Sequence, residues 1–174
     1  MAEFSNVFQP TFEELKSGFS IKGKWKSAVF KNDNPLVVEL GCGKGEYSLG
    51  LSRKYPDKNF LGVDVKGARM WKGASDANNE GIPNVAFLRT RIEFIEYCFA
   101  KSEIDEIWIT FPDPQIKKKR AKNRLTHPVF LDRYSNILQD NGLIHLKTDS
   151  QFLHGYTLGT VSYTHLRAHE TQSD

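Results

Sequence analysis

The sequence predicts one α/β domain built on a mostly parallel sheet with helices on both faces. Short apolar segments alternate with segments of helical character, and this alternation is typical of βαβ units. The predicted strands span residues 36–40, 59–65, 85–88, 106–111 and 143–147. The predicted helices between them span 46–54, 68–79, 92–100 and 130–138. Because ligands of parallel sheets bind beyond the carboxyl ends of the strands, the loops after residues 40, 63, 88, 111 and 147 should line a site.

The composition is that of a globular protein. The chain has 174 residues, 39% of them hydrophobic, 12% aromatic and 26% charged, which argues against wholesale disorder and fibrous repeats. No apolar stretch approaches the length of a membrane span, and residues 1–6 lack the features of a signal peptide. With only Cys42 and Cys98, no disulfide framework is expected, so a cytoplasmic protein without a membrane partner is predicted.

Three regions are expected along the chain. Residues 1–35 form an N-terminal extension that packs on the core or contacts a partner, and residues 36–160 form the main domain. Residues 161–174 show no core periodicity and are interpreted as a non-native tail, so the last strands of the sheet are expected to be missing. His165 and His169 are four residues apart, but no third ligand is evident and no metal site is predicted.

A glycine-rich loop directly follows the first predicted strand. Gly41, Gly43 and Gly45 alternate with Cys42 and Lys44, a spacing that allows a tight turn and close approach to a ligand. The dinucleotide fingerprint requires a third glycine at the position of Glu46, and the P-loop pattern is also absent. The loop therefore indicates a ligand without a pyrophosphate.

Two carboxylates narrow the choice of ligand. Glu39, at the end of the first strand, would attract an ammonium or sulfonium and repel a phosphate. Asp64, at the end of the second strand, is placed to accept hydrogen bonds from ribose hydroxyls. S-adenosylmethionine, a cationic amino acid joined to adenosine, meets both requirements. The alternative is a plain turn with two surface acids.

A second feature ends the fourth strand. Residues 111–114 read Phe-Pro-Asp-Pro, and the two prolines restrict the backbone around Asp113. Six lysines and arginines follow within residues 117–124, although the whole chain has a net charge of only +3. A solvated loop is the simple explanation of such a run. Its position beside a carboxylate at the ligand edge favours a polyanionic substrate that is held through its phosphates.

These motifs together resemble the bacterial tRNA (guanine-N7-)-methyltransferases of the TrmB type. The resemblance covers residues 6–157 and includes the loop at 39–45, Gly-Val-Asp at 62–64, the Asp-Pro turn with its basic run, Arg-Leu-Thr at 124–126 and Leu-Lys-Thr-Asp at 146–149. It implies a Rossmann-like class I methyltransferase fold. It also implies methyl transfer from S-adenosylmethionine to N7 of a guanine in the variable loop of tRNA, by a monomer or homodimer.

The resemblance assigns roles to individual residues. Asp113 would be catalytic and would also touch the cofactor. The other implied cofactor-binding residues are Glu39, Gly41, Cys42, Gly43, Lys44, Gly45, Asp64 and Arg91. The implied substrate-binding residues are Lys117, Lys118, Arg124 and Asp149. For Asp149, a cap on the following segment is the competing interpretation.

Two departures from the family pattern and three alternatives remain. Arg91 stands where the family usually has Asp or Asn facing the adenine, so backbone groups or Glu93 would have to substitute. The family's C-terminal Thr-x-x-Glu segment is absent. The alternatives are a methyltransferase acting on another RNA or on a protein, a nicotinamide oxidoreductase, and a noncatalytic RNA-binding fragment.

Overall fold

The fold is an α/β sandwich around one parallel sheet, seen in a computed structural model that describes residues 4–164 and 168–171. The strands are β1 (Val7–Phe8), β2 (Leu36–Leu40), β3 (Asn59–Asp64), β4 (Val85–Arg89), β5 (Ile104–Thr110), β6 (Leu138–Lys147) and β7 (Ala168–Thr171). Their order in the sheet is β1-β4-β3-β2-β5-β6-β7, and every neighbouring pair is parallel. The predicted fold class is confirmed.

Helices cover both faces of the sheet. They are α1 (Phe12–Gly18), α2 (Glu46–Lys54), α3 (Gly67–Glu80), α4 (Ile95–Cys98), α5 (Pro128–Ile137) and α6 (Gln151–Thr164). A π-helical turn spans Trp25–Phe30, and 3₁₀ turns span Ile92–Phe94 and Lys118–Asn123. One face buries a core against α2 and α3, and the other buries a larger core against α1, α4, α5 and α6.

The predicted elements differ from the observed ones mainly in extent. The helix predicted over 92–100 is a 3₁₀ turn followed by the single turn α4, and β6 begins five residues before its predicted start. The early part of β6 pairs Leu138 with Ile104, and a register shift separates this pair from Glu106–Leu143. Asn141 adopts a left-handed φ of 64° in that irregular stretch. The alternation of side chains expected of a strand is interrupted there, so the first half of β6 is not recognised from the sequence.

The N-terminal extension packs on the core from residue 4 onward. Trp25 is fully buried, and its indole N–H donates to the carbonyl of Cys98 at 2.9 Å. The carboxylate of Glu103 accepts backbone N–H groups of Gly23, Trp25 and Ala100 at 2.7–3.1 Å. A contact of this extension with tRNA stays a prediction.

The C-terminal region extends further than the sequence suggested. Residues 151–164 form α6, and 168–171 add β7 beside β6. His165 lies outside the described residues. The interpretation of 161–174 as a non-native tail stays a prediction.

Candidate active site

The glycine loop joins β2 to α2 by a tight, closely packed turn. The N–H groups of Gly41 and Cys42 both donate to the carbonyl of Val63, at 2.8 and 2.9 Å. Gly45 caps α2 in the left-handed conformation, with φ 75°, and a Cβ there would lie 2.5 Å from the ring of Phe87. The loop residues therefore offer backbone to a ligand, and the buried side chain of Cys42 belongs to the core beneath them.

A glycine of α3 completes the loop's surroundings. A Cβ on Gly73 would lie 2.5 Å from the carbonyl oxygen of Lys44 and 2.9 Å from the ring of Phe87. The helix can therefore approach the glycine loop only because position 73 has no side chain. Gly73 could not be predicted as a site residue, since a glycine inside a helical segment gives no signal of what it packs against.

Glu39 is a buried carboxylate that connects two strands and a helix. Its Oε2 accepts hydrogen bonds from the backbone N–H and hydroxyl of Ser48, at 3.0 and 2.5 Å, and its Oε1 accepts the hydroxyl of Thr110 at 2.5 Å. Burial raises the pKa of Glu39, while these hydrogen bonds oppose the rise. Glu39 was predictable from its place at a strand end, whereas Ser48 and Thr110 become its neighbours only in the fold.

Asp64 accepts hydrogen bonds from the glycine loop and from the segment that follows β3. Its Oδ2 accepts the N–H of Gly43 at 2.8 Å, and its Oδ1 accepts the N–H of Lys66 at 2.8 Å. A carboxylate has about four acceptor positions, so two remain for ribose hydroxyls. The same side chain thus shapes the glycine loop and keeps capacity for a ligand.

A cavity of about 450 Å³ opens beside Asp64. Its walls combine the glycine loop, the end of β3, the segment after β4 and the start of α5: Gly41, Asp64, Val65, Thr90, Arg91, Ile92, Glu93, Asn123, Leu125 and Phe130. This volume lies in the range of small-molecule sites, and its apolar side chains suit a flat aromatic ring.

Arg91 lies on that wall, but its charged group is engaged elsewhere. The guanidinium is 3.5 Å from Glu93 and stacks over the ring of Phe94 at 5.8 Å. Arg91 and Glu93 both line the cavity, where the family usually has Asp or Asn facing the adenine. Both substitutes named from the sequence lie on this wall.

The turn after β5 carries Asp113 on a constrained backbone. Phe111 and Gln115 adopt left-handed φ values of 47° and 48°, and Asp113 Oδ1 accepts the N–H of Gln115 at 2.9 Å. The Asp113 side chain remains exposed. Positive φ at two residues other than glycine in one turn is costly, and such strain concentrates at functional sites.

Arg124 departs from its predicted role in substrate binding. Its side chain is only 5% exposed, and the guanidinium donates to the carbonyls of Pro114, Gln115 and Ile116 at 3.0–3.4 Å. It also stacks on the rings of Phe152 and Tyr156 in α6. The structure therefore places Arg124 behind the Asp113 turn as a positioning residue, because its donors face the protein and not the solvent.

The rest of the basic run faces solvent. Lys117, Lys118, Lys119, Arg120 and Lys122 are exposed, and none of them forms an ion pair within residues 4–164. Five unneutralised positive charges next to Asp113 suit a polyanion.

Asp149 is free of the capping role that competed with substrate binding. The N–H of Leu153 donates to Ser150 Oγ at 3.1 Å, and the N–H of Ser150 donates to Thr148 Oγ1 at 3.0 Å. Ser150 thus caps α6, Thr148 holds the turn before it, and Asp149 remains exposed beyond the end of β6.

The sheet order brings these features to one edge. Strands β3, β2, β5 and β6 are consecutive neighbours. Asp64 ends β3, whereas the glycine loop, the Asp113 turn and Asp149 follow β2, β5 and β6. Within the described residues, no helix has the length and apolar character of a membrane span, and no cluster of three or more His, Cys, Asp or Glu is placed to hold a metal ion.

Comparison with solved structures supports the fold. A 30S ribosomal methyltransferase from an uncultured bacterium superposes with a TM-score of 0.60 at 16% identity, covering 78% of this chain and 71% of that one. At this level of identity the likeness concerns the fold alone, which is the Rossmann-like class I methyltransferase fold.

Comparison with known sequences is more specific. The family described as "Putative methyltransferase" matches residues 33–173. The tRNA (guanine-N(7)-)-methyltransferase of Christiangramia forsetii is 61% identical over 97% of this chain and 74% of its own length. The enzyme of that name from Porphyromonas gingivalis is 51% identical over 100% of this chain and 72% of its own length. The chain spans about three quarters of the length of these relatives, and the expected truncation stays a prediction. These matches show that the chain belongs to the tRNA (guanine-N(7)-)-methyltransferase family.

Proposed function

We propose that this protein transfers the methyl group of S-adenosylmethionine to N7 of a guanine in the variable loop of tRNA, in the cytoplasm, as a monomer or a homodimer. The observation that carries the proposal is the convergence at one sheet edge of the glycine loop, a small-molecule cavity, and a carboxylate followed by exposed basic residues. Family membership supports the same reaction.

The cofactor fits the residues that surround the cavity. Asp64 retains acceptor capacity for the ribose hydroxyls, and Ile92, Leu125 and Phe130 provide apolar surface for the adenine ring. Glu39 and the backbone of the glycine loop would hold the amino-acid end, since a buried carboxylate favours a nearby ammonium. When bound, the cofactor supplies an electrophilic methyl group on a sulfonium.

Asp113 then has an orienting and electrostatic role. N7 of guanine carries a free lone pair, so no proton must leave before attack, and alignment of the two reactants is the main requirement. A carboxylate can accept hydrogen bonds from the N–H edge of guanine and stabilise the positive charge that develops on the methylated base. Asp113 is therefore not a general base in this mechanism.

The exposed basic residues and Asp149 hold the substrate. Lys117 and Lys118 lead away from the Asp113 turn and would contact phosphates, which position an RNA without reading its sequence. Asp149, beyond the neighbouring strand, would accept hydrogen bonds from a base or ribose on the other side of the target nucleotide.

The test compares two tRNA transcripts with labelled S-adenosylmethionine, one with guanine and one with 7-deazaguanine in the variable loop. Label on the guanine transcript alone is the expected result. Label on both would mean another target atom. Label on neither would contradict the proposed activity and would favour a noncatalytic RNA-binding fragment.

A further inference from the structure

An exposed aromatic ring lies in the turn that carries Asp113, at the carboxyl end of β5. Phe111 directly follows β5, and 52% of its surface is exposed. Its backbone adopts a left-handed φ of 47°, which is unusual for a bulky residue and is natural for glycine. A phenylalanine that is both exposed and conformationally costly contributes little to folding, so its ring calls for another explanation.

The backbone of this residue is held firmly in place. Its N–H donates to the carbonyl of Lys147, at the end of β6, at 2.7 Å. Two residues further on, Asp113 closes the turn by accepting the N–H of Gln115. The orientation of the ring therefore follows from the same strand pairing that places the catalytic carboxylate.

Lys147 places its ammonium near this ring and near a ring in the first turn of α2. Lys147 Nζ is 5.8 Å from the centroid of Phe111 and 5.4 Å from the centroid of Tyr47, in the first turn of α2. No other aromatic ring packs on Phe111 within residues 4–164. Much of the ring surface is thus open to solvent, beside Asp113 and the basic run.

We propose that the Phe111 ring is a stacking surface for the target guanine of the tRNA. This inference rests on the proposed function. Aromatic side chains in positively charged grooves bind nucleobases by stacking, whatever the base. Stacking on Phe111 would hold the plane of the guanine while Asp113 accepts hydrogen bonds from its edge, so ring and carboxylate together would restrict the base in two directions.

The test uses binding, so that it does not depend on turnover. A tRNA with 2-aminopurine at the target position is titrated with wild-type protein and with Phe111→Tyr, Phe111→Leu and Phe111→Gly. The leucine variant keeps an apolar side chain and the backbone cost but removes the flat face. The glycine variant removes the ring and suits the left-handed φ, so its thermal midpoint should not fall.

The expected result is that Phe111→Tyr resembles the wild type in affinity. Phe111→Leu and Phe111→Gly should both change the 2-aminopurine fluorescence of the complex and weaken binding about 5- to 150-fold. Tyr55→Ala is the matched control, because Tyr55 is also exposed but lies before β3, at the amino-terminal ends of the strands and away from the candidate site. It should leave both signals unchanged.

Two outcomes would overturn the inference. One is a Phe111→Leu variant that matches the wild type in affinity and in the fluorescence of the complex, and the other is a Phe111→Tyr variant that binds as weakly as Phe111→Gly. The proposed function is judged separately by methyl transfer to the guanine transcript. A wild type that methylates tRNA while its affinity is indifferent to Phe111 would refute the stacking role and leave the activity in place.

Discussion

Replacing Arg124 by alanine separates a positioning role from a phosphate contact. The guanidinium donates through Nε and Nη2 to three carbonyls of the Asp113 turn and stacks on two rings of α6. A net contribution of about 1.5 kcal/mol for each charged donor and about 0.5 kcal/mol for each ring contact predicts a loss of about 4 kcal/mol in the free energy of unfolding. This is a large share of the stability of a typical domain.

Urea unfolding measures this loss, with Arg120→Ala as the matched control. Arg120 belongs to the same basic run but is exposed and makes no ion pair within the described residues, so its removal should change the free energy of unfolding by less than about 0.5 kcal/mol. Arg124→Lys keeps the charge but not the planar fork, and an intermediate loss is expected.

The salt dependence of tRNA binding gives the decisive comparison. Lys117→Ala, which removes an exposed charge, should reduce the slope of log affinity against log salt by about one. Arg124→Lys or Arg124→Ala, studied well below its unfolding transition, should lower turnover but leave that slope unchanged. A slope for Arg124→Ala that falls as much as for Lys117→Ala, with little loss of stability, would refute the positioning role.

Three further predictions concern other parts of the molecule. Asp113→Asn should lower turnover much more than affinity for S-adenosylmethionine, measured by calorimetry, and equal losses in both would argue against the catalytic assignment. Gly73→Ala should lower the free energy of unfolding by about 1–3 kcal/mol through overpacking against Lys44, and it should weaken cofactor binding. An unaffected Kd for S-adenosylmethionine would contradict the close approach of α3 to the glycine loop. The hydrogen bond from His145 and the charge of Lys58 lower the pKa of Glu106 to about 2. Because this folded-state pKa lies below the unfolded value, Glu106→Gln should destabilise the protein above about pH 4.5, and the difference should fade toward pH 2; a pH-independent difference would exclude this linkage.

Much of the sheet could be predicted because strand identity is local. Residues 36–40 are apolar except for Glu39 and are followed by a glycine-rich loop, and β2 has those bounds in the structure. By contrast, β1 has only two residues and is stabilised by pairing with β4, so no local sequence pattern predicts this strand. The irregular backbone around Asn141 likewise concealed the first half of β6.

The candidate site was predictable where a charged residue ends a strand. Glu39, Asp64 and Asp113 could be identified in this way, because strand ends of a parallel sheet meet at one edge. The partners of these residues were not predictable, since Ser48 and Thr110 approach Glu39 from different elements. The burial of Arg124 could not be predicted, because a run of basic residues does not indicate which of their side chains packs against the protein.

The position of Arg124 also couples two distant parts of the chain. Its guanidinium binds the Asp113 turn on one side and Phe152 and Tyr156 on the other, so the docking of α6 and the order of that turn share one side chain. Thermodynamic linkage requires such an effect to be reciprocal. The coupling free energy by which docked α6 favours the ordered turn is therefore also the free energy by which a tRNA that orders the turn stabilises α6. Amide hydrogens of α6 should exchange more slowly when tRNA is bound.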